Sequence, residues 1–182
     1  MKSKGFSLLE VLVTMSVVVI LATVGVPLFK ETIQRSNADA AITSFARAFS
    51  FARVQAINLG QEVTVCHLSD ANACDGNWTE TLSIFIDLNG DAKVNGDDHI
   101  LQQVSAIGSN DHLVTTAGTS VRFAQSGQLS SGNSTFIYCP ASVTSPYAKG
   151  LVISMTGRIR HSRDTNGDGI HELDSGNLDC VI

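Results

Sequence analysis

The stretch Gly5-Phe6-Ser7-Leu8-Leu9-Glu10, opening the run FSLLEVLVTMSVVVILATVGVPLF from Phe6 to Phe29, decides how the rest of the chain is read. From Leu8 to Phe29 the only charged residue is Glu10. A helix rises about 1.5 Å per residue, so about 20 such residues cross the hydrocarbon core of a membrane. Lys2 and Lys4 precede the run, which keeps that end cytoplasmic and sends the remainder outside. A secretory signal peptide would carry a small-residue cleavage site behind its apolar stretch, and no A-x-A site precedes Pro27. A plain signal anchor does not account for Glu10, since an acid inside a membrane span costs about 2.5–3.5 kcal/mol at the centre and usually has a partner. Pro27, two residues past Gly25, removes a backbone donor, so a kink or local melting is expected there.

With its basic flank and apolar continuation, Gly5 to Glu10 resembles the class III signal of type IV pilins and type II secretion pseudopilins, G-F-[ST]-L-[LIV]-E. The resemblance implies that a prepilin peptidase cuts after Gly5 and methylates the new terminus, Phe6. It also implies that Glu10 neutralises the terminal amine of a neighbouring subunit in an apolar filament core, where a buried charge is tolerable only with such a partner. Pilins of this class often carry a proline where Pro27 stands, and helix loosening there is linked to assembly.

The rest of the chain is different in character. The 182 residues are 43% hydrophobic and 6% aromatic, which suits a globular head joined to a long helix and not a disordered chain. Twelve basic against seventeen acidic residues leave −5, and loss of Lys2 and Lys4 leaves −7, so bulk polyanion binding is excluded and any such activity must be local. From Lys30 to Leu59 the apolar residues Ala38, Ile42, Phe45, Phe49, Ala52, Ala56 and Leu59 recur every three or four positions, one face of a helix stopped by Gly60. Strands are expected at 62–68, 82–86, 100–104, 121–124, 135–139 and 150–155, separated by Gly, Asn, Asp and Ser. The predicted organisation is a leader at 1–5, a transmembrane helix at 6–29, its amphipathic continuation at 30–60, and a β-rich periplasmic head with a C-terminal tail at 61–182. The fold class is α+β: a long N-terminal helix on an antiparallel sheet head.

Cys66, Cys74, Cys139 and Cys180 all follow the membrane segment, and an even count beyond an export signal reads as disulfides. Three connectivities are open. The expectation is Cys66–Cys74, closing a short loop, with Cys139–Cys180 pinning the C-terminal tail to a strand.

The stretch SFARAFSFARVQAINLGQEVTVC, Ser44 to Cys66, is similar to the GspH/FimT family of minor pilins and pseudopilins, in which an A-R-x-x-A-I helix core runs into a V-x-V-C strand. Here Ala52-Arg53-Val54-Gln55-Ala56-Ile57 and Val63-Thr64-Val65-Cys66 fill those places. Later, Gly157-Arg158-Ile159-Arg160 resembles the DNA-binding element of FimT minor pilins involved in natural transformation. That match carries Arg158 and Arg160 over as phosphate contacts, about 7 Å apart on one face of a strand, and Arg163 is a candidate helper. Similar G-R sequences also occur in FimU-type minor pilins that prime the pilus tip.

Two acidic loops have spacings that suggest calcium. Asp87 to Asp98 has oxygen side chains at positions 1, 3, 5, 9 and 12, but Ala92 replaces the turn glycine, and a hairpin connection is the favoured reading. In the second loop Asp164, Asn166 and Asp168 precede Gly169 in the right order, while Ser175 at the twelfth position leaves the cage incomplete, so weak calcium binding is the expectation. The chain has no nucleophile elbow, P-loop or dinucleotide fingerprint, and its five histidines are scattered; a non-enzymatic role is expected. The expected partners are other pilins, a prepilin peptidase, the inner membrane and DNA. A type II secretion pseudopilin and a membrane-anchored calcium-binding surface protein are the alternatives.

Overall fold

A computed structural model describes residues 5, 7–105, 107–108, 111–140, 147–173, 176–178 and 180, and leaves the side chains of 24–28 and 177 undescribed. It divides into two compact units, residues 1–36 and 37–182.

Helix α1 spans Leu8–Leu59. Leu8, Leu9, Leu12, Ile20 and Leu21 of its first turns are each more than half exposed, as expected of an apolar helix without its surroundings. The few hydroxyls of this stretch fold back on their own helix: Thr14 donates to the Val11 carbonyl, Ser16 to that of Leu12 and Thr23 to that of Ile20. That satisfies them without water, the condition a lipid environment imposes. Among the described residues no helix is long and apolar enough to cross a membrane. The expected 6–29 span includes residue 6 and the side chains of 24–28, which lie outside that description. Of the kink or local melting expected at Pro27, the melting is absent, since the helix continues through it. One lost donor interrupts one rung of a long ladder, and the flanking turns keep their own bonds.

In the second unit the helical periodicity becomes burial. Ala38, Ile42, Phe45, Phe49, Ala52 and Ala56 are buried, joined by Ala46 and Ala48. Phe45 and Phe49 stack against Phe136, with ring centroids 5.7 and 5.0 Å apart, and Trp78 meets Phe136 edge-on at 5.0 Å. Such pairs contribute about 0.5–1.5 kcal/mol beyond the area they bury. Leu59, expected on this face, is 45% exposed: it is the last residue of the helix, and the buried face stops at Ala56. Gly60 at φ +62° provides the left-handed cap.

Among the described residues the head contains two four-stranded antiparallel sheets. The first has the order β3-β2-β1-β5, from Ile100–Val104, Leu82–Ile86, Val63–His67 and Val121–Phe123. The second has the order β4-β6-β7-β8, from His112–Thr115, Ser134–Cys139, Lys149–Ile153 and Ile159–His161. A short pair, β9 (Glu172–Leu173) and β10 (Gly176–Asn177), follows. Both disulfides form as expected, Cys66–Cys74 and Cys139–Cys180.

The first acidic loop is the hairpin connection from β2 to β3. Asp87 is fully buried and accepts from the Thr64 hydroxyl at 2.8 Å and from the amides of Asp91 and Ala92 at 3.1 and 3.0 Å. Asp98 accepts from the amides of Leu88 and Asn95. These carboxylates are saturated by local donors, which is why they can be buried. Ala92 takes the left-handed conformation, φ +57°, that its place in the loop demands of a glycine.

Candidate nucleic-acid interface

The arginine segment begins at a turn. Strand β7 ends at Ile153, the Gly157 amide donates to the Ser154 carbonyl at 2.8 Å, and the Ser154 amide donates to that of Arg158 at 3.0 Å. Strand β8 then pairs Ile159 with Ile153, Arg160 with Val152 and His161 with Leu151, forming one edge of the second sheet. Arg158 and Arg163 are exposed and Arg160 is half-buried.

The chain then folds back over the same sheet. The Arg163 amide donates to the Glu172 carbonyl at 3.2 Å, and the Glu172 amide returns the bond at 2.7 Å. Leu173 and Leu178 close over Gly150, each 3.1 Å from where its Cβ would be, so a side chain there would have to push them aside by a few tenths of an ångström. Ser162 is buried and accepts the Gly150 amide at 2.8 Å. His171 is fixed by Ser162 Oγ 3.1 Å from its Nδ1 and by Lys149 Nζ 2.6 Å from its Nε2, while Lys149 also reaches Asp39 of α1 at 3.2 Å. The Cys139–Cys180 bond ties the end of this return to β6.

The result is a cavity of about 580 Å³ lined by Arg158, Arg160 and Arg163, with Glu172 and Leu173 as its other wall. Among the described residues neither Arg158 nor Arg163 makes an ion pair with an acidic side chain. A second cavity, about 350 Å³, lies against Ala40, Ala41 and Phe45 of α1 with Asp111 and Tyr138 at its polar end; no lysine or arginine is among its described lining. Tyr138 donates to Asp111, and burial together with that carboxylate pushes its phenol well above the ordinary range.

The second acidic loop borders the arginines. Asp164 accepts from the amides of Gly167 and Gly169 at 2.7 and 2.9 Å, and these bonds hold its carboxyl below the ordinary aspartate value. Asn166 donates to Asp168, and Glu172 accepts from both the amide and the hydroxyl of Thr165 at 2.7 Å. Carboxylate oxygens of Asp164, Asp168 and Glu172 fall within 4.8 Å of one another. Glu172 joins the expected Asp164 and Asp168 in this acidic grouping, while Asn166 stays in the same loop bonded to Asp168. Glu172 stands at the ninth position of the loop, a ligand position of calcium loops that the sequence reading had not taken up.

Of the N-terminal candidates, Gly5 and Glu10 are exposed. Phe6 and the Pro27 side chain lie outside the described residues.

Residues 41–157 match the family described as type II transport protein GspH, and residues 1–26 match the prokaryotic N-terminal methylation motif. The chain belongs to the GspH family. No curated protein matches this GspH-family chain. Among solved structures it is similar to the type IV minor pilin FimU of Pseudomonas aeruginosa, with a TM-score of 0.56 at 20% identity over 85% of this chain and 100% of that one. A second crystal form of FimU gives 0.52 at 20% identity, over 79% and 98%. The minor pseudopilin EpsH from the type 2 secretion system of Vibrio cholerae gives 0.49 at 17% identity, over 69% and 95%. The likeness to FimU gives this GspH-family chain a type IV pilin-like fold.

Proposed function

We propose that this GspH-family chain is a minor type IV pilin that aids pilus assembly and holds DNA for uptake through Arg158, Arg160 and Arg163. Its N-terminal helix anchors it in the inner membrane with the head in the periplasm until a prepilin peptidase cuts after Gly5 and methylates Phe6. The observation that carries the DNA reading is the placement of three arginines around one open cavity. Guanidinium groups suit phosphate oxygens because they donate in a planar fork. Asp164, Asp168 and Glu172 stand beside them, so the contact is weak for one subunit and gains strength from several copies on a filament.

The assembly reading rests on α1. Its exposed leucines need neighbouring helices or lipid, and Glu10 among them needs a cation, which the methylated amine of an adjacent subunit supplies. The role is structural and non-enzymatic. The family description equally admits a pseudopilin in type II secretion, and a neighbouring secretion operon in place of minor pilin genes would decide for it. The acidic grouping at Asp164, Asp168 and Glu172 favours a second ligand at the head, weakly held calcium. Calorimetry with calcium that gives no heat and no thermal shift removes it.

The test is titration of a short labelled DNA duplex with the full chain in detergent. Two or three phosphate contacts predict that affinity falls roughly ten- to fortyfold between 50 and 200 mM salt. Arg158→Ala/Arg160→Ala should abolish that binding. Equal binding by the variant rejects the site.

A further inference from the structure

Two sequence elements lie about a hundred positions apart, the Ala52-Arg53 helix core and the Gly157-Arg158 turn, and they meet in the head. Arg53 is half-buried on α1 between the buried Ala52 and Ala56. Its guanidinium spans two successive carbonyls of the turn: Nη1 donates to Gly157 at 2.8 Å and Nη2 to Thr156 at 3.1 Å. Its Nε is buried with no hydrogen-bond partner among the described residues, so the side chain's polar work is done by the two terminal nitrogens. From the other side the turn at Ala124–Gln128 closes in. Gly157 is buried at φ +74°, and a Cβ on it would overlap the Gly127 carbonyl oxygen and come within 2.8 Å of Arg53 Nε.

We propose that Arg53 is a positioning residue that aims Arg158 into the arginine cavity. The physical step is the planarity of the peptide bond. The Gly157 carbonyl belongs to the same rigid plane as the Arg158 amide, so holding that oxygen sets where the Arg158 Cα lies and where its side chain departs. A forked donor fixes two adjacent planes at once, which a lysine with its single point charge does not do. Arg53 therefore touches no ligand itself. Its charge is spent on backbone, and its effect on an anion passes through the residue that follows the turn. This inference rests on the reading of Arg158 and Arg160 as phosphate contacts.

The experiment is a double-mutant cycle on the full chain in detergent, with a short labelled DNA duplex as the probe and backbone amide NMR as a separate readout. Arg53→Ala should shift the Arg158 and Ile159 amide resonances. It should also lower DNA affinity about as much as Arg158→Ala does and reduce the salt slope by about 1. Arg53→Ala/Arg158→Ala should be no weaker than Arg158→Ala alone. A merely structural Arg53 would instead weaken both backgrounds equally. Full additivity, or wild-type binding by a folded Arg53→Ala, overturns the proposal. If Arg53→Ala fails to fold, Arg53→Lys enters the same cycle, with the same coupling expected. If Arg158→Ala itself leaves DNA binding unchanged, the phosphate reading has failed, and the amide shifts decide this inference alone: unmoved Arg158 and Ile159 resonances reject it.

Discussion

Replacing Gly157 with alanine tests the packing that presents the arginine segment. Two costs arise from the geometry. Holding a non-glycine residue at φ +74° costs about 1–2 kcal/mol. The new methyl would also overlap the Gly127 carbonyl and lie 2.8 and 3.1 Å from Nε and Cζ of Arg53. One of those neighbours is backbone, so relief requires moving the Ala124–Gln128 turn or breaking Arg53 from its carbonyls, an overpacking cost of about 1–3 kcal/mol. Together they come to about 2–5 kcal/mol. Gly132 separates the two costs, since its φ is +89° but nothing lies within 4 Å of where its Cβ would be. Gly132→Ala should therefore show only the conformational part. Urea unfolding of the full chain in detergent, followed by the fluorescence of Trp78, reads both, because Trp78 is the sole tryptophan and is packed on Phe136 in the core. Equal midpoints for the two variants would refute the close approach at Gly157 and, with it, the clamp by Arg53.

Three other outcomes follow from the same structure. Ala92→Gly should stabilise the head by about 0.5–1 kcal/mol in the same urea assay, because relief of left-handed strain exceeds the added freedom of the unfolded chain; destabilisation would mean that the loop does not require φ > 0. Removing Cys139–Cys180, with its 41-residue separation, should cost about 4 kcal/mol, against about 2.5 kcal/mol for Cys66–Cys74 with a separation of 8, and paired serine variants measure the order. Asp164 has a folded-state value below its ordinary one, so the bonds it accepts are fully present above the ordinary value and are lost as pH falls through the depressed one. The Gly167 and Gly169 amide resonances should therefore hold steady down through the ordinary aspartate range and move only below it; movement at or above that range contradicts the bonding.

What could be seen in the residues, and what could not, divides along physical lines. The helix face from Ala38 to Ala56 was legible because burial repeats every three or four residues, while Leu59 kept the rhythm after the core had ended. Strands β1, β2 and β6 are apolar and β-branched and announce themselves. Strand β4, His112–Thr115, is short and nowhere fully buried, and β9 and β10 have two residues each, too few to show any period. The arginines were legible as a motif, but their cavity was not, because Glu172 and Leu173 reach it only through the return of the chain across β7. Arg53 stood out as part of a helix pattern, yet its partners at Thr156 and Gly157 are more than a hundred positions away. Local pattern reports which face is apolar; it does not report which distant carbonyl a guanidinium will find.

The presentation of these arginines to DNA by a filament subunit has a consequence in the living cell. Its most direct test is transformation frequency in the native host carrying Arg158→Ala/Arg160→Ala, with pili counted in the same cells. Transformation should drop while piliation is unchanged. Transformation at the wild-type level in fully piliated cells would contradict it.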